Sequence, residues 1–246
     1  MILYGRNAVH EALRARRRTV SRVWATRSAL GGEAWLREAP GLTEAGDAEI
    51  ERLAGAEAHQ GVCAEAGGYP YVGAAELLGR PDPFLVALDE VQDPQNLGAI
   101  CRTAEVAGAT GVVLCERRAA EVTPAVAKAS AGAVEHLRIA RVRNLSDFLA
   151  EAGQAGCWSY GAALGADASG YDQQDYRGGV VLVLGGEAKG LRPRVAASCD
   201  ALVALPVRGR VQSLNVSAAA AVFIYAITQK RLPISPQGLT TFHKGA

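Results

Sequence analysis

Beyond residue 83 the chain alternates short, continuous apolar runs with stretches of helical periodicity. The runs 84–88, 111–114, 137–140, 157–162, 180–184 and 201–205 are bounded by turn residues and predict strands buried on both faces. Helices are predicted over 96–107, 124–131, 145–152, 192–197 and 213–228. Strands and helices in this alternation predict an α/β domain, a parallel sheet with helices on both sides. The first 66 residues follow a more compact rhythm: helix 7–16, strand 22–26, helix 33–39, an extended piece near Leu42, helix 48–53 and strand 61–66. Glycines and prolines interrupt both patterns at Gly67-Gly-Tyr-Pro70 and Gly79-Arg-Pro81-Asp-Pro83. The chain therefore divides into a small α/β domain (1–66), a linker (67–83) and a larger domain (84–246). Its tail from Leu232, with Pro233, Pro236 and Gly238, reads as irregular.

Composition narrows the class. Apolar residues make up 49% of the 246 and aromatic ones 6%, enough for a sizeable buried core. No apolar run reaches the ~20 residues of a membrane helix, and Met1-Ile-Leu-Tyr-Gly-Arg6 lacks a signal-peptide layout, so a cytoplasmic protein is expected. The five cysteines are dispersed, odd in number and without a C-x-x-C pair, which predicts reduced core thiols. The four histidines stand beside no ligand at metal spacing, so no metal site is expected. A net charge of +1 gives no general affinity for nucleic acid, but its distribution is uneven. Arg14, Arg16, Arg17, Arg18, Arg22 and Arg27 follow one another with no acid between them, and seven acids follow from Glu33 to Glu57. Two readings fit the run: a solvated helix end, where cations are favoured, and an RNA-facing patch that neutralises phosphates.

Three short stretches carry chemistry. In the first, Asn96 stands at the expected N-cap of a helix, with Gly98 and then Arg102 six positions on, nearly two turns, on the same general side. The second follows a strand so apolar that it must be central, Gly179-Val-Val-Leu-Val-Leu184, and sets Gly185, Gly186, Glu187 and Gly190 on its edge. Its spacing is neither that of a dinucleotide-binding loop nor that of a P-loop. Glu187 there is a turn acid or a ligand for a cation, a hydroxyl or a guanidinium. The third has Pro206 and Gly209 in a loop, then Ser213-Leu-Asn215-Val-Ser217 opening an alanine-rich helix. One of Ser213 and Asn215 is expected as the cap; two polar residues flanking Leu214 suit a ligand cradle.

Together the stretches resemble the motifs of the SpoU (TrmH-like) ribose methyltransferases of the SPOUT superfamily. N-x-G-x-x-x-R is matched by Asn96, Gly98 and Arg102; G-x-E-x-x-G-[LM] by Gly185, Glu187, Gly190 and Leu191; and P-x-x-G-x-x-x-S-L-N-V-S by Pro206, Gly209 and residues 213–217. Tyr4-Gly-Arg-Asn-Ala-Val-His-Glu-Ala-Leu13 and His59-Gln-Gly61 look like the ends of the L30e-like RNA-binding domain of the subfamily acting on a guanosine of 23S rRNA. The resemblance spans nearly the whole chain, with two departures: Val207 stands where methionine is frequent and Ala188 where many relatives have glycine.

The resemblance implies a C-terminal trefoil knot, which the general rules of topology would exclude. It implies a homodimer with active-site residues from both subunits, S-adenosylmethionine as cofactor and RNA as substrate. It also implies that Gly185, Leu205 and Leu214 hold the cofactor, that Pro206 and Gly209 shape its loop, and that Asn96, Arg102, Glu187, Ser213 and Asn215 serve catalysis. Arg102 has two possible roles: a base, as in family proposals, or a cation that stabilises the developing alkoxide while phosphate or water takes the proton. The near-permanent charge of arginine favours the second. Three rivals remain at this point: an enzyme methylating a base nitrogen, a tRNA ribose methyltransferase and a catalytically idle RNA-binding protein of the same fold.

Overall fold

A computed structural model describes residues 1–164, 168–186, 190–211 and 213–231. The first unit comprises β1 (Ile2–Tyr4), α1 (Arg6–Ala15), β2 (Val20–Ala25), α2 (Arg27–Gly32), a 3-10 turn (Ala34–Glu38), β3 (Thr43–Glu44), α3 (Asp47–Ala54) and β4 (Val62–Ala66). Its strands form a four-stranded sheet in the order β1-β4-β2-β3. Helix α2 was not expected. Thr26 starts it by accepting from the Ala29 amide, and Gly31-Gly32 ends it within two turns, too short for a periodic signal.

The segment between the units is not a free linker. Tyr69 is buried, Val72 bridges to Ala140 at the sheet edge, and α4 (Ala74–Leu78) buries Leu77 completely. Its flanking glycines and prolines mask a five-residue helix whose burial is decided by tertiary packing.

The second unit continues with β5 (Phe84–Asp89), α5 (Pro94–Val106), β6 (Gly111–Cys115), α6 (Pro124–Ala129), a 3-10 turn (Ala133–Glu135), β7 (Ile139–Val142), α7 (Leu145–Gln154), β8 (Cys157–Ala162), β9 (Ser169–Gly170), β10 (Gly179–Gly185), α8 (Pro193–Ala197), β11 (Ala201–Ala204) and α9 (Val216–Arg231). Seven strands pair in the order β7-β6-β5-β10-β8-β11-β9, all in parallel. The predicted strands are all present, and the two-residue β9 is additional. Alternation explains why the runs are apolar throughout. Phe84, Val86 and Leu88 enter one core with Ile100 of α5 and Phe223 and Ile224 of α9, while Leu85 and Ala87 enter another with Phe148 and Leu149 of α7.

The first of these cores runs on without a break into Leu3, Val9, Ala12 and Val23 of the first unit. Polar contacts reinforce that junction. Arg18, its side chain 2% exposed, donates from Nε to Glu135 at 3.0 Å, from Nη2 to the other oxygen of the same carboxylate and from Nη1 to the Gly67 carbonyl at 3.2 Å. Arg17 donates to the carbonyls of Leu137 and Pro70, and the Tyr69 hydroxyl lies within 2.9 Å of those of Val134 and Leu137. A histidine–carboxylate contact, His136 Nε2 to Glu11 at 2.7 Å, lies at the rim.

Candidate active site

The sheet order reverses direction at β5 and β10: the chain moves from β5 outward through β6 and β7, then returns to place β10 on the other side of β5. In parallel α/β sheets the crevice at the carboxyl ends of such strands is where ligands sit. The first two motif stretches begin there, and the third begins at the carboxyl end of β11, two strands from β10.

Asp93, not Asn96, caps α5, its carboxylate accepting from the Gln95 amide at 2.9 Å, with Pro94 as the first helical residue. Asn96 is thereby drawn into the helix, is buried, and accepts at Oδ1 from Asn215 Nδ2 at 3.1 Å. Asn215 in turn accepts the Ser217 amide at 2.8 Å and so caps α9. One asparagine pair ties the starts of two helices, and at the far end the Thr228 hydroxyl lies 3.2 Å from the Ala107 carbonyl, so α5 and α9 lie side by side in parallel.

Arg102 departs from expectation. Six residues at ~100° each leave it about 120° around α5 from Asn96. Asn96 accordingly faces inward while Arg102 is exposed and forms no hydrogen bond or ion pair with a described residue. Gly98 has a packing role: a Cβ there would stand 2.4 Å from the Ala129 Cβ and 2.9 Å from the Ser130 amide.

At the end of β10, Gly185 pairs in register with Asp89, and a Cβ on Gly185 would fall 2.1 Å from the Gly190 carbonyl carbon. The Gly190 amide donates to the Gly186 carbonyl at 3.0 Å, closing the loop. Gly190 has a positive φ of 63°, which suits glycine there. Glu187 and Ala188 lie outside the described residues.

Two residues not singled out from the sequence secure this turn. Asp89, fully buried, accepts from the Arg192 amide at 2.8 Å and from its Nε at 2.7 Å, anchoring the chain just after the loop to the end of β5. That hydrogen bond leads the causes raising the Arg192 pKa above its ordinary value. A carboxylate ending an apolar strand is the same signal that drew attention to Glu187.

The third stretch is open. Leu205 is half-buried against the core; Pro206, Gly209 and Ser213 are exposed; Val207, Val211 and Leu214 are 47%, 77% and 56% exposed. Exposed apolar side chains on a loop that leaves the carboxyl end of β11 fit a nucleoside-bearing cofactor. The cysteines have no part in this chemistry: Cys63, Cys101, Cys115 and Cys157 are buried and Cys199 is half-buried, and burial pushes the Cys101 thiol up to about 12.

The arginine run divides. Arg17 and Arg18 do not face RNA, because Leu137, Pro70 and Glu135 engage them inside the junction. Arg14, Arg16 and Arg22 are exposed; Arg14 pairs with Glu11 at 2.9 Å and Arg22 lies over Trp24.

A parallel sheet that reverses at β5 and β10, with asparagine-tied helices and a glycine turn on its carboxyl edge, defines a SPOUT-type methyltransferase fold. The chain belongs to the SpoU rRNA Methylase family, which matches residues 83–225, while the RNA 2'-O ribose methyltransferase substrate binding family matches residues 2–72. It is 38% identical to the 23S rRNA (guanosine-2'-O-)-methyltransferase RlmB of Pseudomonas putida over 244 residues, 93% of this chain and 96% of that protein. A TrmH family tRNA/rRNA methyltransferase of Bacillus subtilis, YacO, is 37% identical over 94% of this chain and 96% of its own length. Among solved structures, the AdoMet-bound rRNA methyltransferase of Sinorhizobium meliloti superposes with a TM-score of 0.79 at 27% identity, covering 94% of this chain and 87% of that one. Among the described residues no helix is long and apolar enough to cross a membrane.

Proposed function

We propose that this protein transfers a methyl group from S-adenosylmethionine to the ribose 2'-hydroxyl of a guanosine in 23S rRNA. The observation that carries the reading is the Asn96–Asn215 hydrogen bond, which joins the first and third motifs at the edge where Gly185 ends its strand. The substrate follows from the similarity to RlmB proteins over nearly the whole chain, the first unit included.

When bound, S-adenosylmethionine supplies an already activated methyl group, so the protein's task is positioning and charge stabilisation. Backbone groups of Gly185 and Leu205 and the exposed face of Leu214 would hold it, with Pro206 and Gly209 shaping the loop. Asn96 and Asn215 fix the two helix starts; Ser213 and Glu187 orient the ribose and the loop. The Arg102 guanidinium would stabilise charge on the 2'-oxygen as the oxygen–methyl bond formed and the methyl–sulfur bond broke to leave a neutral thioether, while phosphate or water would accept the hydroxyl proton.

The outward direction of Arg102 supports a homodimer in which this residue serves the neighbouring subunit's site. It lies on α5 with the exposed Val106, the neighbouring α9 carries the exposed Val222 and Tyr225, and exposed apolar side chains on a helix pair suit burial against a second copy. The trefoil knot is supported by β10 lying between β5 and β8 and by residues 190 and 191 pressed on Gly185. The first unit is read as L30e-like, residues 84 onward as the methyltransferase domain, and the protein as cytoplasmic.

Radiolabelled methyl transfer to 23S rRNA fragments, followed by mapping of the 2'-O-methyl position, tests the reading. A single modified guanosine is expected. Transfer to tRNA with none to 23S rRNA would overturn the substrate, and no cofactor binding by calorimetry would overturn the activity.

A further inference from the structure

A second feature, remote in sequence from the three motifs, lies on the first unit. The end of α1 and the 3-10 turn Ala34–Glu38 border a hollow of about 610 Å³ lined by His10, Leu13, Arg14, Arg16, Trp35 and Glu38. An adjoining hollow of about 460 Å³ shares Leu13 and Arg16 and extends to Arg17 and Thr19. Together they form a groove with an aromatic centre and a cationic border.

The centre is a stack. The rings of His10 and Trp35 lie 4.6 Å apart and 9° from parallel, and both are half-buried. Two constraints hold the indole. Leu36, next in the chain, is fully buried and pins the turn, and the indole Nε1 donates to Glu33 at 2.8 Å, a carboxylate that Arg6 also engages at 3.2 Å. A ring held by its edge and left partly open to solvent has the form of a stacking surface.

The border is cationic. Arg14, itself exposed, pairs with the half-buried Glu11 three residues back, a carboxylate that His136 also engages; an ion pair open to water at its arginine end contributes little and leaves the guanidinium available to a phosphate. Arg16 adopts a left-handed conformation, φ 52°, as the cap of α1, and is exposed. The negative end of α1 accounts for one cation in the last turn, and Arg14 meets that need. It does not call for an aromatic stack beside Arg16. Glu38 is the one acid in the lining and is exposed at its edge.

We propose that this groove holds an unpaired nucleotide of the RNA substrate, its base stacked on the Trp35–His10 pair and its flanking phosphates met by Arg14 and Arg16. The inference rests on the reading of the protein as an RNA methyltransferase and adds where, and in what conformation, the RNA is gripped away from the reaction. Stacking on an aromatic ring requires a base free of its duplex, so the groove selects single-stranded or looped RNA.

The test is binding of the full-length protein to a fluorescein-labelled single-stranded decamer of adenylate, with a blunt RNA duplex of equal length as comparator. Trp35→Leu is expected to weaken decamer binding about tenfold and leave duplex binding unchanged, while Trp35→Phe stays within threefold of the parent. Arg16→Gln is expected to weaken both and to lower the slope of log affinity against log salt by about one. Unchanged decamer affinity in Trp35→Leu overturns the proposal. So does equal loss on both RNAs with a lowered melting temperature, which would make the ring a packing element. Methyl transfer by the parent protein, measured in parallel, separates the two readings. Transfer that survives while Trp35→Leu binds normally removes the groove alone, whereas absent cofactor binding removes the enzyme reading whatever the decamer shows.

Discussion

Arginine is used in opposite ways at two places in the molecule. At the junction of the units, Arg18 is enclosed by Glu135 and the Gly67 carbonyl, every donor turned inward; in the second half of α5, Arg102 points into solvent without a described partner. The same side chain serves as internal adhesive in one place and as an available charge in the other. What separates them is the supply of buried acceptors. A guanidinium can be enclosed only where a carboxylate and carbonyls already converge, and one left outside them is available to a ligand or another subunit.

Removing the partner of the enclosed arginine should have the largest effect. Glu135→Gln strands the Arg18 charge in the core and is expected to lower unfolding stability by about 3–5 kcal/mol in urea titration, whereas an Arg18→Met/Glu135→Leu pair should recover most of the loss. A Glu135→Gln variant within 1 kcal/mol of the parent would show that the apolar core, not the ion pair, secures the junction. At the open end the expectation reverses. Arg102→Ala should leave stability within about 0.5 kcal/mol and reduce methyl transfer about 100-fold, close to 3 kcal/mol in the barrier, while Arg102→Lys keeps detectable single-turnover transfer. Complete loss in the lysine variant, with cofactor and RNA still bound, would favour arginine as the base.

Gly98 links the two behaviours, since it lies between Asn96 and Arg102 yet serves packing. Gly98→Ala should cost about 1–3 kcal/mol in thermal or urea unfolding, because the added methyl meets Ala129 at 2.4 Å. The smallest effect belongs to the rim contact. Burial raises the Glu11 pKa, but hydrogen bonds from His136 and Arg14 outweigh it and hold the carboxylate below its ordinary 4.5. A lowered folded pKa means that this contribution is complete above about pH 4.5 and is lost as pH falls through the folded value. At less than about 1 kcal/mol it should appear as a shallow extra slope in stability below pH 4.5, absent in Glu11→Gln.

Much of the sheet was legible because a strand buried on both faces has no polar residues to disguise it. The five residues of β6, Gly111–Cys115, are all buried, and the apolar run has nearly the same bounds. What escaped was decided at a distance. Arg18 looks like one more member of a basic run until Glu135, 117 residues away, is beside it. Helix α4 hides among glycines and prolines, and Asp93 displaces Asn96 as cap because Pro94 fixes the first helical residue. Of the motif residues, Asn96 and Asn215 meet across 119 positions of sequence, a contact that neither stretch discloses, and the direction of Arg102 follows from helical phase, which spacing along a motif does not convey.

The position of β10 in the sheet also sets a timetable. The strand that completes the cofactor edge is laid between β5 and β8 by residues 179–185, whereas every partner of the Arg18 contact is present once Glu135 has been made. During synthesis at ~5–20 residues per second, the intervening fifty or so residues take roughly 3–10 s. A nascent chain can thus fasten its first unit to the growing second one while the middle of the sheet still lacks a strand. In that interval β5 exposes one apolar edge, and the strand that covers it is the one that brings Gly185 into place.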